Sequence, residues 1–322
     1  MASGRAVVVG SYAVGLTIRT DVFPIPGETR LGSGFEEGPG GKGSNQAIGL
    51  ARLGAGVSFV GCVGDDRFGR EALELLAREG VDTGSVRVVD RVPTGVGFIV
   101  LDADGNNLIV LDPGASGRLD GALVREALAG SIGAGDLVLT QLEISEAAAA
   151  AALGAGRAAG ATTVLNPAPA RVLDAATLAS VDVLSPNETE LRILSGLAPD
   201  ASADDAVLAE GLLARGVAAV VVTRGSAGAL VVTRDGSRSI AAPRVEVVDS
   251  TGAGDAFNAA LAARLLTGDS IADAAAWAVA AGALACTRSG VVPSLPTRGE
   301  LGAAMGAGPN RPPTTEARFA AR

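Results

Sequence analysis

Short runs of consecutive apolar residues alternate with amphipathic segments along most of this chain. Residues 6–9 are a continuous apolar run, which is the pattern of a strand that is buried on both faces, and we expect residues 57–63 to form the next strand. After residue 121, helical segments alternate with predicted strands at 137–142, 162–165, 181–184 and 217–222. Repeated strand–helix units predict an α/β fold with a doubly wound, mostly parallel sheet that is flanked by helices.

Two other segments, 12–40 and 92–111, interrupt this alternation. The first is rich in Gly and Pro, and the second contains Asp104-Gly105 between two apolar runs, which is a hairpin signal. We expect these segments to form a small β-sheet that acts as a lid over a site. We expect one α/β domain over residues 1–304 and a polar tail without fixed structure over 305–322.

A glycine-containing loop leads into the apolar run 256–266, which predicts a helix. Gly252, Ala253 and Gly254 offer an anion such as phosphate the backbone N–H groups and the positive dipole end of that helix. Asp255 follows in the first turn, where a carboxylate beside a bound phosphoryl group accepts a proton from an attacking hydroxyl. The alternative is a loop whose acidic residue merely stabilises the helix.

A second glycine loop precedes another predicted helix and contains Lys42, which is the only lysine in the chain. Gly43 follows Lys42, where a Walker A loop requires Ser or Thr, so this is a different kind of loop. A flexible ammonium group in such a loop predicts a contact with an anion or a substrate. The alternative is a lysine on a surface loop with no ligand.

Polar residues follow several of the predicted strands. Ligands bind at the carboxyl ends of the strands in doubly wound sheets. Together with Asp255, we therefore expect a site at one edge of the sheet to contain Glu143, Asn166, Asn187 and Thr223. Any one of these residues alone is explained as a polar turn residue.

Composition excludes several classes of protein. The chain contains no histidine, so a Ser-His-Asp triad, a Cys-His dyad and histidine-ligated zinc are impossible. The net charge of −9 argues against general binding of nucleic acid or of an anionic membrane. Cys62 and Cys286 are too few for a cysteine-rich zinc site, and we expect free, buried thiols. No apolar segment is long enough to span a membrane and no signal peptide is visible, so we expect a cytoplasmic protein.

Several segments together resemble one family, the ribokinase-type or phosphofructokinase-B-like sugar kinases. Segments 40–47 (GGKGSNQA) and 249–257 (DSTGAGDAF) are similar to the two signatures of that family. The chain also resembles ribokinases at 141–143 (QLE), 166–171 (NPAPAR) and 185–190 (SPNETE). The resemblance extends from about residue 6 to residue 296.

This resemblance implies ATP-dependent phosphorylation of a sugar hydroxyl, with Asp255 as general base. It implies an anion hole from the amides of Gly252, Ala253 and Gly254. It implies that the substrate is held by Gly41, Lys42, Gly43, Asn45, Glu143 and Asp255. It implies that the nucleotide site is lined by Asn187, Thr223, Gly225, Ser226, Gly228 and Gly254.

The resemblance also implies metal ions and a second subunit. Glu190 is expected to act on Mg²⁺ through water. An activating monovalent cation, K⁺, is expected to have as ligands Asp249, Ser294 and the carbonyl groups of Thr251, Ala285, Arg288 and Gly290. Hard oxygen ligands of this kind suit such an ion. A homodimer through the lid is expected because members of the family often dimerise in that way.

The chain departs from the ribokinase pattern shortly after the first predicted strand. Ribokinases carry an Asn and an Asp there that bind ribose hydroxyls, and this chain has Ala13 and Gly15. Because the loss of buried polar contacts changes substrate choice, we expect a substrate other than ribose. Candidates are another pentose, a keto sugar, a polyol, or a nucleoside that stacks on Tyr12. Arg19 and Asp21 are candidates to supply a replacement contact to the substrate.

Two other functions compete with a sugar kinase. A nucleoside kinase of the same fold is distinguished from it by a panel of sugars and nucleosides. A non-catalytic sensor of sugar or nucleotide is distinguished by the absence of ADP release. A dinucleotide oxidoreductase is excluded because no Gly-x-Gly-x-x-Gly motif directly follows the first predicted strand.

Overall fold

Two β-sheets organise the protein, whose computed structural model describes residues 4–104, 106–306 and 315–316. In chain order the strands are β1 (Ala6–Val9), β2 (Ala13–Arg19), β3 (Ser33–Gly40), β4 (Val57–Gly64), β5 (Val81–Val89), β6 (Gly95–Leu101), β7 (Asn107–Asp112), β8 (Leu137–Thr140), β9 (Thr162–Leu165), β10 (Val183–Leu184), β11 (Ala219–Thr223), β12 (Ala229–Thr233), β13 (Gly236–Ile240) and β14 (Thr315–Glu316).

The large sheet has ten strands in the order β14-β13-β12-β11-β10-β9-β8-β1-β4-β5. All neighbours from β11 to β5 are parallel, and β12, β13 and β14 add an antiparallel edge. The small sheet has four strands in the order β3-β2-β6-β7, and we call it the lid sheet. The predicted mostly parallel α/β sheet with a separate small β-sheet is therefore confirmed.

Helices cover both faces of the large sheet. They are α1 (Lys42–Arg52), α2 (Arg67–Arg78), α3 (Gly121–Leu128), α4 (Glu146–Ala158), α5 (Ala175–Ala179), α6 (Glu188–Leu194), α7 (Asp205–Ala214), α8 (Ala253–Leu266), α9 (Ile271–Ala285), α10 (Val291–Ser294) and α11 (Arg298–Gly306). No helix among these described residues combines the length and the apolarity that crossing a membrane requires.

The four apolar residues of β1 contribute to hydrophobic cores on both faces of the large sheet. Ala6 and Val8 lie in one core cluster with residues of α1, α8 and α9. Val7 and Val9 lie in a second cluster with residues of α3 and α4. All four side chains are buried, because helices cover the sheet on both sides.

Several elements of the fold have no clear signal in the sequence pattern. The hairpin β12–β13 turns at Arg234-Asp235, and Gly236, with a φ of 127°, opens β13. Helices α5, α6 and α11 are short and carry little periodicity, so they also went unpredicted. Strand β5 is mostly exposed or partly buried, so it lacks the apolar pattern of a strand in the middle of the sheet.

The expected tail, 305–322, is only partly covered by the described residues. Helix α11 extends through Gly306, beyond the expected domain end at residue 304. The short strand β14 pairs with β13. The remainder of the expected tail lies outside the described residues, as does Gly105 of the predicted hairpin turn. The hairpin strands themselves are observed as β6 and β7.

Candidate active site

Asp255 is buried at the N-terminal end of α8. Only 6% of Asp255 is exposed, whereas the adjacent Gly254 is exposed. Asp255 Oδ2 accepts a hydrogen bond from Asn45 Nδ2 at 2.9 Å, and Oδ1 accepts one from Gln46 Nε2 at 2.9 Å. Both donors belong to α1, so the helices that follow the two glycine loops meet at this carboxylate.

Opposing influences act on the charge of Asp255. Burial raises the pKa of Asp255 above its usual value, because desolvation penalises the carboxylate. The Lys42 ammonium and the hydrogen bonds from Asn45 and Gln46 act in the other direction, while Glu143 adds to the rise in pKa. A carboxylate under such competing influences is typical of a functional site.

The loop before α8 presents backbone N–H groups next to Asp255. Gly252 has a φ of 82°, and a Cβ at this position would lie 2.8 Å from the Val291 side chain of α10. The Ala253 N–H donates to the Ser250 carbonyl at 3.2 Å. Within the described residues, no acceptor is bonded to the N–H of Gly252 or Gly254. Two of the three predicted anion-hole amides are therefore available to a ligand, and the third is already engaged.

Asp249 ties this loop to the segment between α9 and α10. Its Oδ1 accepts the Thr251 N–H at 2.8 Å, and its Oδ2 accepts the Gly290 N–H at 3.1 Å. Burial alone raises the pKa of Asp249, but the hydrogen bonds from Thr251 and Gly290 outweigh burial and lower it. Asp249 therefore stays charged and holds the two loops together.

Asp249 belongs to the oxygen set that the resemblance implied for a monovalent cation. Ala285 and Arg288 lie at and just after the end of α9, and Ser294 is fully buried at the end of α10. The set is dominated by backbone carbonyl groups. In the described part of the chain, no group of three or more His, Cys, Asp or Glu side chains is arranged to hold a metal ion.

Lys42 begins α1 and lies among carboxylates. Burial lowers the pKa of Lys42, and three nearby carboxylates raise it by more. Those carboxylates belong to Asp255, Glu143 and Glu190. Glu143 Oε2 also accepts the Lys42 backbone N–H at 2.8 Å and the Ser11 hydroxyl at 2.6 Å. The structure therefore brings Lys42, Glu143 and Asp255 together, as predicted.

The glycines of the first loop allow it to lie against the chain that follows β1. A Cβ on Gly43 would lie 2.6 Å from the Ser11 nitrogen, and one on Gly41 would lie 2.8 Å from Tyr12 Cα. Neither position has room for a side chain. This close approach brings the start of α1 against the start of β2.

The predicted nucleotide residues follow β10 and β11 on the same edge of the sheet. Asn187 caps α6: its Oδ1 accepts the Glu190 N–H at 2.7 Å, and Glu190 Oε2 accepts the Asn187 N–H at 2.8 Å. Asn187 also pairs with Thr223 in a parallel bridge. Beyond Thr223 the chain forms an exposed 3₁₀ turn, Gly225–Ala227, which ends at Gly228 with a φ of 88°.

Glu190 is partly buried near Lys42. Burial raises the pKa of Glu190, while the Asn187 N–H and the Lys42 ammonium act to lower it. Its second oxygen, Oε1, has no hydrogen bond to the described residues. Glu190 is thus placed between the nucleotide segment and the lysine of the first loop.

On the face of the lid sheet that includes Ala13 and Gly15, the first two rows contain only Ala13, five glycines and Leu111. Ala13 pairs with Gly40 and Gly95, and Gly15 pairs with Gly38 and Gly97. Helix α10 packs against β3 and also against Gly252, so this face of the lid is turned toward the start of α8. Arg19, on the same face, is close enough to influence the pKa of Asp249.

Tyr12 lies on the other side of the lid. It is 3% exposed and packs in a cluster with Val14, Val63 and Ala72, against which Phe68 also packs. Burial raises the pKa of Tyr12 to about 12, and Glu71 and Asp66 add to the rise. The expectation that a nucleoside base stacks on Tyr12 is therefore wrong, because the side chain fills a core beneath the lid.

Gln46 and Gln141 were missed by sequence reasoning. Both were quoted only as letters of segments that resemble the family, and neither carries a charge or a nucleophile to draw attention. Both are fully buried, and Gln46 contacts the Asp255 carboxylate directly. The only sequence signal is an amide side chain immediately after a glycine loop.

The cavity of about 250 Å³ between α8, α9 and α11 is a separate feature. Gly4, Gly54 and Gly56 line it, and these residues precede β1 and β4. It therefore lies at the opposite edge of the sheet from Asp255. Trp277 and Arg264 also line it, with the Arg264 guanidinium 4.5 Å from the Trp277 ring centroid.

Comparisons with known proteins identify one family. The model of the pfkB family carbohydrate kinases matches residues 4–298. The chain is 37% identical over 294 residues to the ribokinase of Haemophilus influenzae, which covers 91% of this chain and 95% of that protein. It is 35% identical over 291 residues to the deoxyribokinase of Salmonella typhimurium, which covers 90% of this chain and 95% of that protein.

Solved structures give the same result. A ribokinase from Thermotoga maritima matches with a TM-score of 0.85 and 33% identity, covering 94% of this chain and 99% of that one. The ribokinase of Arabidopsis thaliana, complexed with ribose and ATP, matches with a TM-score of 0.84 and 30% identity, covering 94% and 99% of the two chains.

Proposed function

We propose that this chain, which belongs to the pfkB family of carbohydrate kinases, uses Asp255 as the general base when it transfers the γ-phosphoryl group of ATP to a sugar hydroxyl. The observation that carries the proposal is a buried carboxylate beside two available N–H groups. The carboxylate accepts the proton of the attacking hydroxyl, and the amides stabilise the charge of the phosphoryl group in transit.

The amides of Gly252 and Gly254 form the anion hole in this proposal. They lie at the positive end of the α8 dipole, where a phosphoryl group is favoured. Ala253 contributes by shaping the turn through its bond to Ser250 rather than by donating to the ligand. Gly41, Lys42, Gly43, Asn45 and Glu143 hold the substrate. Asn45 supports this role because its Oδ1 is buried without a hydrogen-bond partner among the described residues.

The segment after β10 and β11 binds the nucleotide in this proposal. Asn187, Thr223, Gly225, Ser226 and Gly228 lie along the sheet edge after these strands, and Gly254 at the start of α8 completes the set. Glu190 fits a role on Mg²⁺ through water, since one of its carboxylate oxygens has no bond to the described residues. Mg²⁺ neutralises phosphate charge when bound. Lys42 supplies a fixed positive charge beside the same carboxylate.

A monovalent cation fits the loops that Asp249 joins. The donors are hard oxygens: Asp249, Ser294 and the carbonyl groups of Thr251, Ala285, Arg288 and Gly290. Potassium suits such a set, and its charge would stabilise the loop that ends in the anion hole. Asp249 already joins these loops by hydrogen bonds to Thr251 and Gly290.

The lid supports a substrate other than ribose. The face that includes Ala13 and Gly15 offers no side-chain hydrogen-bond group in its first two rows. A sugar hydroxyl that lost water there without gaining a partner would bind less well. We propose a sugar with a deoxy position or an apolar substituent toward this face. The deoxyribokinase similarity agrees with this idea.

A nucleoside kinase remains the second candidate. The glycine-lined part of that face has space for a flat base, since a Cβ on Gly38 would meet nothing within 4 Å. Tyr12 plays no part in that alternative because it is buried on the other side of the lid. A non-catalytic sensor is disfavoured because the chain retains the buried carboxylate and the N–H groups that phosphoryl transfer needs.

We propose a homodimer through the lid sheet. The face on which Tyr12 and Val14 lie continues, past the buried Tyr12 cluster, as exposed apolar side chains. These are Ile18, Phe98, Leu108 and Val110, which are 37%, 55%, 51% and 70% exposed, and we call them the apolar lid patch. Contiguous apolar surface of this kind is typical of an interaction site, and a second copy of the chain is the partner proposed here.

Asp255→Asn tests the general base. Because the amide accepts no proton from the sugar, we expect kcat to fall by about 10²–10⁴-fold while ATP affinity stays close to that of the wild type. Asp273→Asn, in the first turn of α9 and away from the site, is the matched control and retains activity. Steady-state ADP release, with ATP binding by calorimetry and a thermal melt, checks the result. Wild-type turnover in Asp255→Asn removes this residue as the base.

Potassium dependence tests the cation site. At constant ionic strength, we expect activity to rise when potassium replaces a large organic cation. Asp249→Asn should raise the potassium concentration that gives half of the maximal rate, because one negative ligand is lost. A wild-type rate that does not change with potassium concentration would contradict the proposed cation site.

Substrate choice tests the lid. We expect the wild type to prefer a deoxy sugar or a nucleoside over ribose in a kcat/KM panel. The double variant Ala13→Asn/Gly15→Asp places polar side chains on this face of the lid. Its kcat/KM for ribose, relative to the other substrates, should rise at least about tenfold. Ala13→Leu, which adds bulk without a hydrogen-bonding group, is the control and should not favour ribose. A wild type that already prefers ribose, with no change in the double variant, contradicts this assignment.

Sedimentation velocity tests the dimer. We expect a dimer for the wild type and a monomer for Val110→Asp, because a charge in an apolar contact is costly. Val207→Asp, at an equally exposed apolar position on α7, is the matched control and should remain dimeric. A monomeric wild type at micromolar concentration would contradict the proposal.

A further inference from the structure

A chain of buried amide groups leads from the sheet edge to Asp255. Gln46 Nε2 donates to Asp255 Oδ1 at 2.9 Å and also to Asn166 Oδ1 at 3.1 Å. Gln141 Nε2 donates to Gln46 Oε1 at 2.5 Å, and Asn166 Nδ2 donates to the Ser185 carbonyl at 3.0 Å. We call Gln46, Gln141 and Asn166 the amide relay. Their exposed fractions are 0%, 0% and 6%.

The Ser185 carbonyl fixes the direction of every bond in the relay. A backbone carbonyl only accepts, so the Asn166 NH₂ group must face Ser185 and its Oδ1 must face Gln46. Gln46 must then present its NH₂ group to Asn166, and the same NH₂ group reaches Asp255. Its Oε1 is left to accept from Gln141. No other arrangement of the amides satisfies the Ser185 carbonyl and Gln46 together.

We propose that the amide relay positions Asp255, with Gln46 as the residue that holds the carboxylate in its orientation and in its charged form. This inference rests on the proposed role of Asp255 as the general base. The relay presents an N–H group to Oδ1 and never a lone pair. A proton on Oδ1 would therefore face a donor, and the neutral acid would lose a hydrogen bond that the carboxylate keeps.

The electrostatic surroundings explain why such a relay matters. Asp255 is desolvated, and burial is the largest influence that raises its pKa. The charged groups that act on it are Lys42 on α1, which favours the carboxylate, and Glu143 after β8, which opposes it. Asn45 and Gln46 donate the two hydrogen bonds that also favour the carboxylate. Removing the Gln46 donor therefore raises the pKa of Asp255 further.

The backbone around the relay leaves room for it. A Cβ on Gly10 would lie 2.7 Å from the Gly43 Cα and would also overlap the Gln141 side-chain oxygen. The absence of a side chain after β1 thus admits Gln141 beneath the first loop. Ser185 is followed directly by Pro186 and Asn187, so the relay joins the nucleotide segment to the base.

The pH dependence of kcat/KM tests this proposal. A general base works only when deprotonated, so activity is lost as the pH falls through its pKa, and a raised pKa moves this acid limb to higher pH. For Gln46→Met we expect an upward shift of the acid limb by about one pH unit, the effect of losing one hydrogen bond to a charged group. For Gln141→Met we expect a smaller shift in the same direction. Gln46 still donates to Asp255 in that variant, but its Oε1 no longer accepts a hydrogen bond from Gln141.

Two further variants separate positioning from lost stability. Gln46→Glu has the shape of glutamine and places a second carboxylate beside Asp255, so the acid limb should move up even if Gln46→Met fails to fold. Thr163→Val removes buried hydrogen bonds to Ser180 and Asp182 near the start of β9, away from Asp255. It should lower the melting temperature and leave the acid limb in place.

The outcomes of these experiments distinguish the positioning role of the amide relay from the role of Asp255 as general base. If Gln46→Met and Gln46→Glu lower kcat while the acid limb stays in place, or change nothing, the relay proposal is overturned. Asp255→Asn in the same series reports on the base itself. If that variant is inactive while the Gln46 variants do not shift the limb, Asp255 remains the base without help from the relay. Every comparison uses the same substrates, so ionisation of ATP is common to all variants.

Discussion

The site depends on one carboxyl group that is removed from water while neighbouring groups favour its charged form. Desolvation works against the charge of Asp255, and two amide hydrogen bonds and one ammonium group work in its favour. A carboxylate balanced in this way is a better proton acceptor than a fully solvated one, because its pKa lies above the usual range. The remainder of the site is arranged to maintain that balance next to an anion-binding helix end.

The fold brings these groups together through two glycine loops at one sheet edge. The first loop lies against the backbone after β1, and this contact aims α1 at Asp255. The second has a left-handed Gly252, which turns the chain sharply into α8. Asp249 fixes that second loop to the segment before α10. The first two rows of the lid face that includes Ala13 and Gly15 offer no hydrogen-bonding side chain, and our proposal of a substrate other than ribose rests on this feature.

The sheet and the main site residues were predictable, because each left a strong local signal. Continuous apolar runs indicated β1 and β4, and the glycine loops indicated where α1 and α8 begin. The antiparallel edge was missed because β12 and β13 lie beyond the regular strand–helix alternation. Gln46 and Gln141 were missed for a different reason. Their role arises from contacts between residues far apart in the chain, and an uncharged amide gives no sign of this in sequence. The orientation of Tyr12 also required the structure, since a strand residue points to either face depending on register.

The most direct test of the account is the ionisation of Asp255 in the folded protein. Carbon-13 NMR of labelled aspartate carboxyl groups, with Asp255→Asn to assign the resonance, measures it without any substrate. The account predicts a carboxylate at pH 7 that titrates above the range of exposed aspartates. A carboxyl group that is protonated at pH 7 would contradict the central claim, because a neutral acid cannot accept the proton of an attacking hydroxyl.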